Sequence, residues 1–554
     1  MKKRFISAVI FLIVFCLGGS NVLEDTGYRP ETDGFSFENF GDEICDEAAC
    51  ENASGMTVEG MQRMFGDGVC RQGTEAGTCK LTRPAEAWLE SANEMVSGGH
   101  CEGMSVLSAL FFAGAENPQN FGGSSAHSLD IRGNTALQSE LTYWAATQLD
   151  VDYEVVVATP SDQLQTLIDY YAGNPKYLMP IGIYKRDGSD GHAILSYGVE
   201  KISDEESHIL VYDNNYPDED RYIVINTEEN SWHYSGADNP DSTEGLYDGN
   251  DLENPLQLVP IDSRVNRMFT CPFCTASSTA SGKVSGVSVM DNSNMFSADA
   301  DINVLIQDEY GNESGYDWED DKTHDEIEGV SIRRSENGTT VMLPKDLSYD
   351  LWMNRPDEEE YAYFNASITA PGSVFQIDNV LESVDYSNMF YEPPTYDDVL
   401  EGTYETFGVI AKPDYLPKVT ASLADGEDEY HFAFSTNYAG DEAIDGHVQF
   451  SLYNDKENGI LAFSVSPAGE EDEKALAGVV FYVWGDFYYD TADGEKSMYI
   501  DEDDPLEIQV YQDIILDYRN IDWDSPENTV FTVLSSSNAD HKLAYKIPEN
   551  ADSM

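Results

Sequence analysis

The chain has 554 residues, too many for one ordinary domain, and its 103 acidic residues outnumber 30 basic ones to give a net charge of −73. Because single hydrophobic cores stop growing near about 250 to 300 residues, we expect two to four domains. So negative a surface repels phosphate backbones and anionic lipids, which argues against nucleic acid and membrane surfaces as partners. We interpret the carboxylates mainly as a solvated surface suited to a salty or calcium-rich medium.

Residues 1–20 have the pattern of a signal peptide. A basic start, Met-Lys-Lys-Arg, is followed by an apolar run to Leu17 and by small residues at 18–20. The run is shorter than the roughly 20 residues that a membrane span needs. Lipid attachment at Cys16 is the alternative, but Phe15 occupies a position where lipoprotein signals usually carry a small residue. The sequence therefore predicts a secreted or periplasmic protein that does not stay in the membrane after signal removal.

The cysteines after the signal predict three local disulfides and one free thiol. Six of them form close couples, namely Cys45 with Cys50, Cys70 with Cys79, and Cys271 with Cys274. In an exported chain most cysteines pair, which leaves Cys101 as the free thiol that a nucleophile requires. Cys271-Pro-Phe-Cys274 could instead be a redox pair or half of a zinc site. A structural disulfide is favoured because a Ser/Thr-rich stretch follows the motif.

Residues 21–80 are predicted to be an acidic leader or pro-segment with two small disulfide loops, and residues 81–274 an α+β domain. Apolar spacing and capping residues predict helices over 82–97, 101–116, 135–149 and 160–172. Short β-branched and aromatic runs predict strands over 177–184, 192–199, 207–212 and 221–226. Helices followed by consecutive strands indicate helices packed on an antiparallel sheet.

The C-terminal half has a different texture. A Ser/Thr/Gly-rich stretch at 275–294 is predicted to be a linker and a hinge. Aromatic-rich strands separated by acidic turns follow it, predicted over 298–307, 339–343, 347–352, 361–369, 447–453, 459–465, 478–489 and 530–534. This pattern indicates all-β, sandwich-type domains, which we divide into 295–384 and 385–554.

The motif Ser-Gly-Gly-His-Cys-Glu-Gly-Met-Ser places Cys101 in the first turn of a buried helix. A helix N-terminus stabilises a thiolate, and its N–H groups can bind the oxyanion formed when that thiolate attacks a carbonyl. Asn93, eight residues upstream, is a candidate side-chain donor to the same oxyanion. A simple hydrogen bond at the end of its helix is the alternative for Asn93.

The base is expected to be His192, which starts an apolar strand after a glycine. A third group must orient the imidazole, and Asp213 stands where the next strand ends. Asn214 and Asn215 are alternative orienters because an amide can also hold a histidine ring. An aspartate that merely opens a turn before two asparagines is the alternative for Asp213.

The three motifs resemble the papain-like cysteine peptidase superfamily in its compact bacterial form, similar to the bacteriocin-processing peptidases. They read Gly-His-Cys-Glu-Gly-Met-Ser, Gly-His-Ala-Ile-Leu-Ser-Tyr-Gly and Val-Tyr-Asp-Asn-Asn-Tyr-Pro, and the match covers roughly residues 80–260. The resemblance implies a papain-like catalytic domain that hydrolyses peptide bonds through Cys101, His192 and Asp213. Met95 stands where family members carry a glutamine upstream of the cysteine.

The expected function is therefore a secreted cysteine peptidase that acts on a protein or peptide, needs no cofactor or metal, and positions substrates with its β-sandwich domains. A transglutaminase-like acyl transferase or deamidase is the first alternative, although Ile194 and Asn214 replace the residues typical of that class. A catalytically inactive binding or adhesion protein is the second. Acidic loops at 308–317 and 317–321 could hold Ca²⁺, but solvated turns are the favoured interpretation.

Overall fold

The structure is a computed structural model, and its described residues form two regions. It describes residues 21–45, 49–73, 75, 77–150, 154–186, 191–237, 239, 245–265, 267–274, 288–289, 293–299, 302–318, 320, 322–335, 338–354, 363–381, 387–397, 402–411, 417–425, 428–438, 444, 446–469, 472–491, 494–525, 529 and 531–535. The predicted signal peptide and most of the predicted linker lie outside these residues.

The N-terminal region contains six α-helices among its described residues. They are α1 (Pro30–Asp33), α2 (Val58–Phe65), α3 (Arg83–Met95), α4 (Cys101–Phe112), α5 (Thr135–Ala146) and α6 (Pro160–Ala172). The predicted helices correspond to α3 through α6. Local capping explains the agreement at α3 and α6, because Thr82 and Thr159 accept hydrogen bonds from N–H groups of the first turn and a proline stands at the first or second position of each helix.

The helices pack on an eight-stranded sheet in the order β11-β10-β9-β8-β7-β6-β12, with β1 paired to β7. Its strands are β1 (Asn21–Asp25), β6 (Met179–Tyr184), β7 (Gly191–Lys201), β8 (Glu206–Tyr212), β9 (Arg221–Asn226), β10 (Ser231–Ser235), β11 (Leu246–Asn250) and β12 (Gln257–Leu258). Short pairs β2 (Glu43–Cys45) with β3 (Cys50–Asn52), and β4 (Cys70–Gln72) with β5 (Lys80–Leu81), precede it. All pairings in the main sheet are antiparallel, as predicted.

Residues 21–80 are built into this region. β1 extends the main sheet by pairing with β7, and Tyr28, Phe35 and Met61 are fully buried in the same hydrophobic core as α4. Burying large apolar side chains of this kind contributes about 1.5 to 3 kcal/mol each to folding. The segment expected to be a leader therefore supplies part of the core, although its apolar residues lack a periodic pattern.

The C-terminal region is all-β apart from the short helix α7 (Asp472–Ala475). After the small parallel pair β13 (Thr270–Cys271) and β14 (Ser288–Val289), its strands are β15 (Ser293–Ala298), β16 (Asn303–Asp308), β17 (Glu313–Asp317), β18 (Lys322–Asp325), β19 (Ser331–Ser335), β20 (Gly338–Pro344), β21 (Tyr349–Asn354), β22 (Tyr363–Ala370), β23 (Ser373–Leu381), β24 (Ser387–Asp397), β25 (Gly402–Ala411), β26 (Lys418–Asp425), β27 (Asp428–Tyr438), β28 (Val448–Asp455), β29 (Ile460–Pro467), β30 (Val480–Thr491), β31 (Gly494–Ile500), β32 (Leu506–Gln509), β33 (Gln512–Asp517) and β34 (Thr532–Ser535).

These strands form two ten-stranded sheets that share one hydrophobic core. One sheet runs β19-β20-β15-β22-β23-β26-β27-β30-β31 with β32 paired to β30, and the other runs β18-β17-β16-β21-β24-β25-β28-β29-β33-β34. Stacked rings of Phe375 on Phe407, and of Phe434 on Phe463, join the sheets. The structure differs from the predicted division at residue 385, because both sheets contain strands from either side of it. The strand predicted over 298–307 is two strands in different sheets.

Two arginines of the N-terminal region dock on carboxylates of the β region. Arg71, beside the Cys70–Cys79 disulfide, and Arg83, which opens α3, both pair with Asp490. The Arg83 backbone N–H also donates to Glu429 at 2.8 Å. Because Asp490 is 1% exposed, these pairs are shielded from solvent and hold the two regions together.

The three predicted disulfides are present, joining Cys45 to Cys50, Cys70 to Cys79, and Cys271 to Cys274. Cys101 is the free cysteine of the described chain, as predicted. Pairing of Cys271 with Cys274 removes both sulfurs from the zinc alternative, since zinc binds thiolates. Within the described ranges, no helix is long and apolar enough to cross a membrane.

Candidate active site

His192 and Asp213 meet at one edge of the main sheet. His192 is the second residue of β7, and Asp213 directly follows the last residue of β8. Because these neighbouring strands run antiparallel, the start of one lies beside the end of the other. The imidazole Nε2 lies 2.7 Å from Asp213 Oδ1, and the residues are only 5% and 1% exposed. The carboxylate accepts the Nε2 proton, which directs Nδ1 to act as the basic nitrogen.

Asp213 is held by two further donors. The Asn215 backbone N–H donates to Oδ1 at 2.8 Å, and the Tyr234 hydroxyl on β10 donates to Oδ2. Burial alone raises the pKa of a carboxyl, but the charge of His192 and these hydrogen bonds together hold the pKa of Asp213 below its usual value. The burial of Tyr234 and the adjacent carboxylate raise the pKa of its phenol. Asp213 therefore stays an anion and Tyr234 stays a neutral donor.

Cys101 opens α4, the central helix of the N-terminal region, and is 2% exposed. Residues 101–111 are all buried, so the helix is enclosed on every side. Gly103 makes that possible on one side, because a Cβ there would lie only 2.1 Å from the Leu141 carbonyl oxygen on α5. The first turn of α4, which carries the thiol, is thus fixed against its neighbours.

A buried ion pair fixes the same turn. Glu102 Oε1 accepts from Arg264 Nη2 at 2.7 Å, and Arg264 Nη1 donates to Thr147 Oγ1 at 3.0 Å. Glu102 and Arg264 are each 2% exposed. The negative charge of Glu102 in the first turn interacts favourably with the helix dipole. The Arg264 guanidinium balances that charge next to the Cys101 thiol.

Asn214 joins the cysteine helix to the histidine strand. Its Nδ2 donates to the Cys101 carbonyl oxygen and to the Ala193 carbonyl oxygen, each at 3.0 Å. These two oxygens therefore lie within about 6 Å of each other. Ser105 on α4 adds a hydrogen bond to the Ala193 carbonyl oxygen at 3.1 Å. Asn214, predicted as an alternative orienter, thus holds the backbones beside Cys101 and His192, while Asp213 bonds the ring.

Residues 34–41, here called the cover segment, lie across this site. The Tyr212 hydroxyl accepts from the Phe35 N–H at 3.1 Å, so the segment begins beside the end of β8. The Asn39 N–H then donates to the Asn214 carbonyl oxygen at 2.8 Å. The Phe40 ring stacks on His100 with centroids 4.4 Å apart, and the Phe40 carbonyl oxygen lies 2.7 Å from His100 Nδ1. The cover segment therefore contacts the residue before Cys101 and the residue after Asp213.

Asn93 does not lie where an oxyanion donor was predicted. Its Oδ1 accepts from the Met56 N–H at 2.8 Å, and its Nδ2 is 3.5 Å from the Met56 carbonyl oxygen. Asn93 lines a cavity of about 1080 Å³ between α3, the Cys70–Cys79 loop and the β30–β31 hairpin, whose lining includes none of Cys101, His192 and Asp213. Both ends of the Asn93 amide therefore face the backbone of Met56.

Asp308 in the first acidic loop bonds its own turn. Its Oδ1 accepts from the N–H groups of Tyr310 and Asn312, each at 2.9 Å. Burial opposes ionisation, but these bonds and the Asn312 side chain hold the pKa of Asp308 below its usual value. The carboxylate is thereby used in a β-hairpin turn and is buried rather than solvated. Residues 319 and 321 of the second loop lie outside the described residues.

Sequence reasoning missed three residues of this site. Tyr234 and Arg264 lie in segments with no catalytic motif, and Asn39 lies in the segment expected to be a leader. Only the three-dimensional fold brings them to Asp213, Glu102 and His100. Comparison with known proteins adds no assignment, because the chain matches no family model, no curated protein and no solved structure.

Proposed function

We propose that the protein is an extracytoplasmic cysteine hydrolase of the papain-like kind, which cleaves peptide bonds with Cys101 as nucleophile, His192 as base and Asp213 as orienter. The observation that carries the proposal is the 2.7 Å bond between His192 Nε2 and Asp213 Oδ1, beside a helix whose first residue is a free cysteine. A histidine with a purely structural role needs neither a buried carboxylate on one ring nitrogen nor a cysteine thiol on the helix that packs against its strand.

The proposed reaction uses these three residues in turn. Cys101 Sγ gives its proton to His192 and attacks the substrate carbonyl carbon, forming a C–S bond and a negatively charged oxygen. As the carbonyl re-forms, the C–N bond breaks and the leaving amine takes the proton from His192. Water then attacks the thioester with His192 as base, which releases the carboxylic acid and restores the thiol. Asp213 remains an anion and stabilises the imidazolium in both halves.

The β region is proposed to position the substrate or the enzyme at a surface. One of its two sheets contacts the N-terminal region through Asp490 and Glu429, so the β region could hold a bound protein near that region. The disulfides suit an oxidising compartment outside the cytoplasm. Protein or peptide substrates are favoured over nucleic acids because of the net charge of −73.

The test compares two fates of one acyl-enzyme. Purified protein is incubated with fluorescent casein, and new amino termini are measured together with ammonia release and incorporation of a fluorescent primary amine. A peptidase produces new amino termini, whereas a transglutaminase or deamidase releases ammonia from glutamine without cleaving the chain. Cys101→Ala is the control in each assay. Ammonia release that depends on Cys101, without cleavage, would replace the peptidase with the acyl transferase; no Cys101-dependent reaction would favour a binding protein.

A further inference from the structure

The proposed reaction needs donors for the oxyanion that forms on the substrate carbonyl. Such donors commonly supply about 2.7 to 4 kcal/mol each to the transition state. The Cys101 N–H belongs to the first turn of α4, where backbone N–H groups have no acceptor within the helix. A side-chain donor is absent from the two places where the sequence suggests one, because residue 95 is a methionine and Asn93 bonds Met56.

Asn39 places a carboxamide at this helix terminus. Its Oδ1 accepts from the backbone N–H of His100, the residue before Cys101, at 2.8 Å. A backbone N–H can only donate, so the atom facing it must be the oxygen, and the amide orientation is thereby fixed. The Nδ2 group is bonded to the same side-chain carbon as Oδ1, so it too is held close to Cys101, the residue after His100.

The main chain of Asn39 is anchored on the opposite side of the site. Its N–H donates to the Asn214 carbonyl oxygen at 2.8 Å, and Asn214 Nδ2 in turn donates to the Cys101 carbonyl oxygen at 3.0 Å. With the His100–Cys101 peptide bond, these contacts close a ring that includes the backbone of Cys101. Asn39 is half-buried whereas Asn214 is fully buried, so Asn39 lies on the side of the ring nearer to solvent.

We propose that Asn39 donates the side-chain N–H of the oxyanion hole, together with the backbone N–H of Cys101. This inference rests on the proposed function, because it concerns the negative oxygen formed when Cys101 attacks a carbonyl. Anchoring at both Oδ1 and the main chain holds Asn39 in place before the substrate arrives. A donor that is already in place stabilises the oxyanion without having to reorient during the reaction. The cover segment is then a permanent part of the enzyme and not a removable pro-segment.

The test separates stabilisation of an oxyanion from the reactivity of the thiol. Hydrolysis of fluorescent casein passes through an oxyanion, whereas alkylation of Cys101 by iodoacetamide attacks a saturated carbon and forms none. Asn39→Ala removes the amide, and Asn39→Asp keeps an acceptor for the His100 N–H but removes the donor. We expect both variants to lose about 10²- to 10³-fold in kcat. Their limiting alkylation rate at high pH, where the thiolate is fully formed, should stay within about threefold of the wild type.

Asn93→Ala is the matched control, because it removes the same side chain from a position that bonds Met56, and its kcat should equal that of the wild type. Equal kcat for wild type, Asn39→Ala and Asn39→Asp would overturn the inference while leaving the proposed function intact. Parallel loss of kcat and of alkylation in both variants would also overturn it, because Asn39 would then only support the fold around the thiol. A wild type without Cys101-dependent hydrolysis would refute the proposed function itself.

Discussion

Each region of the molecule contains a buried carboxylate that accepts a tyrosine hydroxyl and faces a basic group. In the β region, Glu405 is 1% exposed, accepts from Tyr391 at 2.8 Å and pairs with Lys456 at 3.1 Å. In the N-terminal region, Asp213 accepts from Tyr234 and pairs with His192.

The difference lies in the basic partner and in what stands next to it. In the β region the basic partner is the ammonium group of Lys456, which also donates to the Ser373 hydroxyl at 3.3 Å. In the N-terminal region the basic partner is the imidazole of His192, the side-chain type most often used as a general acid or base, and it adjoins the helix that begins with Cys101. Burial, a tyrosine and an ion pair are thus common to both sites, and the proposed catalytic role of the N-terminal one depends on the imidazole and the thiol that only this site has.

The largest expected effect comes from removing the His192 imidazole or the Cys101 thiol. We expect Cys101→Ala and His192→Ala each to lower kcat for casein hydrolysis by at least about 10⁴-fold, because the two side chains act as one unit. Circular dichroism and the unfolding temperature should match those of the wild type. Lys456→Ala, the counterpart in the β region, should retain full kcat. Activity within tenfold of the wild type in His192→Ala would contradict the assigned base.

The second effect concerns the two carboxylates. Asp213→Ala should lower kcat by about 10² to 10⁴-fold, less than Cys101→Ala, because the ring then adopts the wrong tautomer in part while the nucleophile remains. Glu405→Ala should leave kcat of the folded protein unchanged but lower the unfolding temperature, since four side-chain donors lose their acceptor. Steady-state kinetics and calorimetry measure both. If Asp213→Ala and Glu405→Ala change kcat to the same extent, the distinction between a catalytic and a structural carboxylate is wrong.

Much of the fold around these groups could be predicted, because its signals are local. The bounds of α3 and α6 follow from Thr82 and Thr159 with the prolines after them. His192 and Asp213 could be paired because consecutive antiparallel strands bring their start and end together. The six structural cysteines could be paired because each couple is close in sequence.

The rest depends on long-range packing that no local pattern records. Tyr234 reaches Asp213 from two strands away, and Asn39 reaches His100 from 61 residues upstream. The strand predicted over 298–307 is divided at Asp299, whose Oδ1 accepts from the Asn365 N–H at 2.6 Å on β22. The division at 385 failed because alternation of strands between two sheets looks the same in sequence as two consecutive domains.

A smaller effect is expected from the two tyrosines. The hydrogen bond from Tyr234 helps to hold the pKa of Asp213 down, so Tyr234→Phe raises that pKa. The acidic limb of the kcat profile should therefore move to higher pH, with about a tenfold loss of activity on that limb, the equivalent of one hydrogen bond to a charged group. Tyr391→Phe should leave the profile unchanged. An unshifted acidic limb in Tyr234→Phe would show that the phenol does not act on the Asp213 carboxylate.

The smallest effect is expected where the two regions meet. Burial raises the pKa of Glu429 to about 7, although the Arg83 N–H and the charge of Arg71 favour its anion. A raised carboxyl pKa gives stability that is complete below the unfolded value near 4.5 and is lost as pH rises through about 7. Glu429→Gln keeps an acceptor without the charge, so it should raise the unfolding temperature at pH 8.5 and change it little at pH 4.

Calorimetry from pH 4 to 8.5 checks this interface, with Glu502→Gln as the control because Glu502 is exposed. The control should follow the wild-type curve at every pH. The same pH dependence in Glu429→Gln and in wild type would mean that Glu429 ionises normally against Arg83.

The central claim is that His192 activates Cys101, and alkylation at pH 6.5 tests it most directly. Native wild type and His192→Ala are treated with iodoacetamide, and the adduct is followed by intact mass and located by peptide mapping. We expect one adduct, on Cys101, that forms at least about 100-fold faster in the wild type, because the imidazole removes the thiol proton. Equal rates in the two proteins, or a Cys101 that reacts only after unfolding, would contradict it.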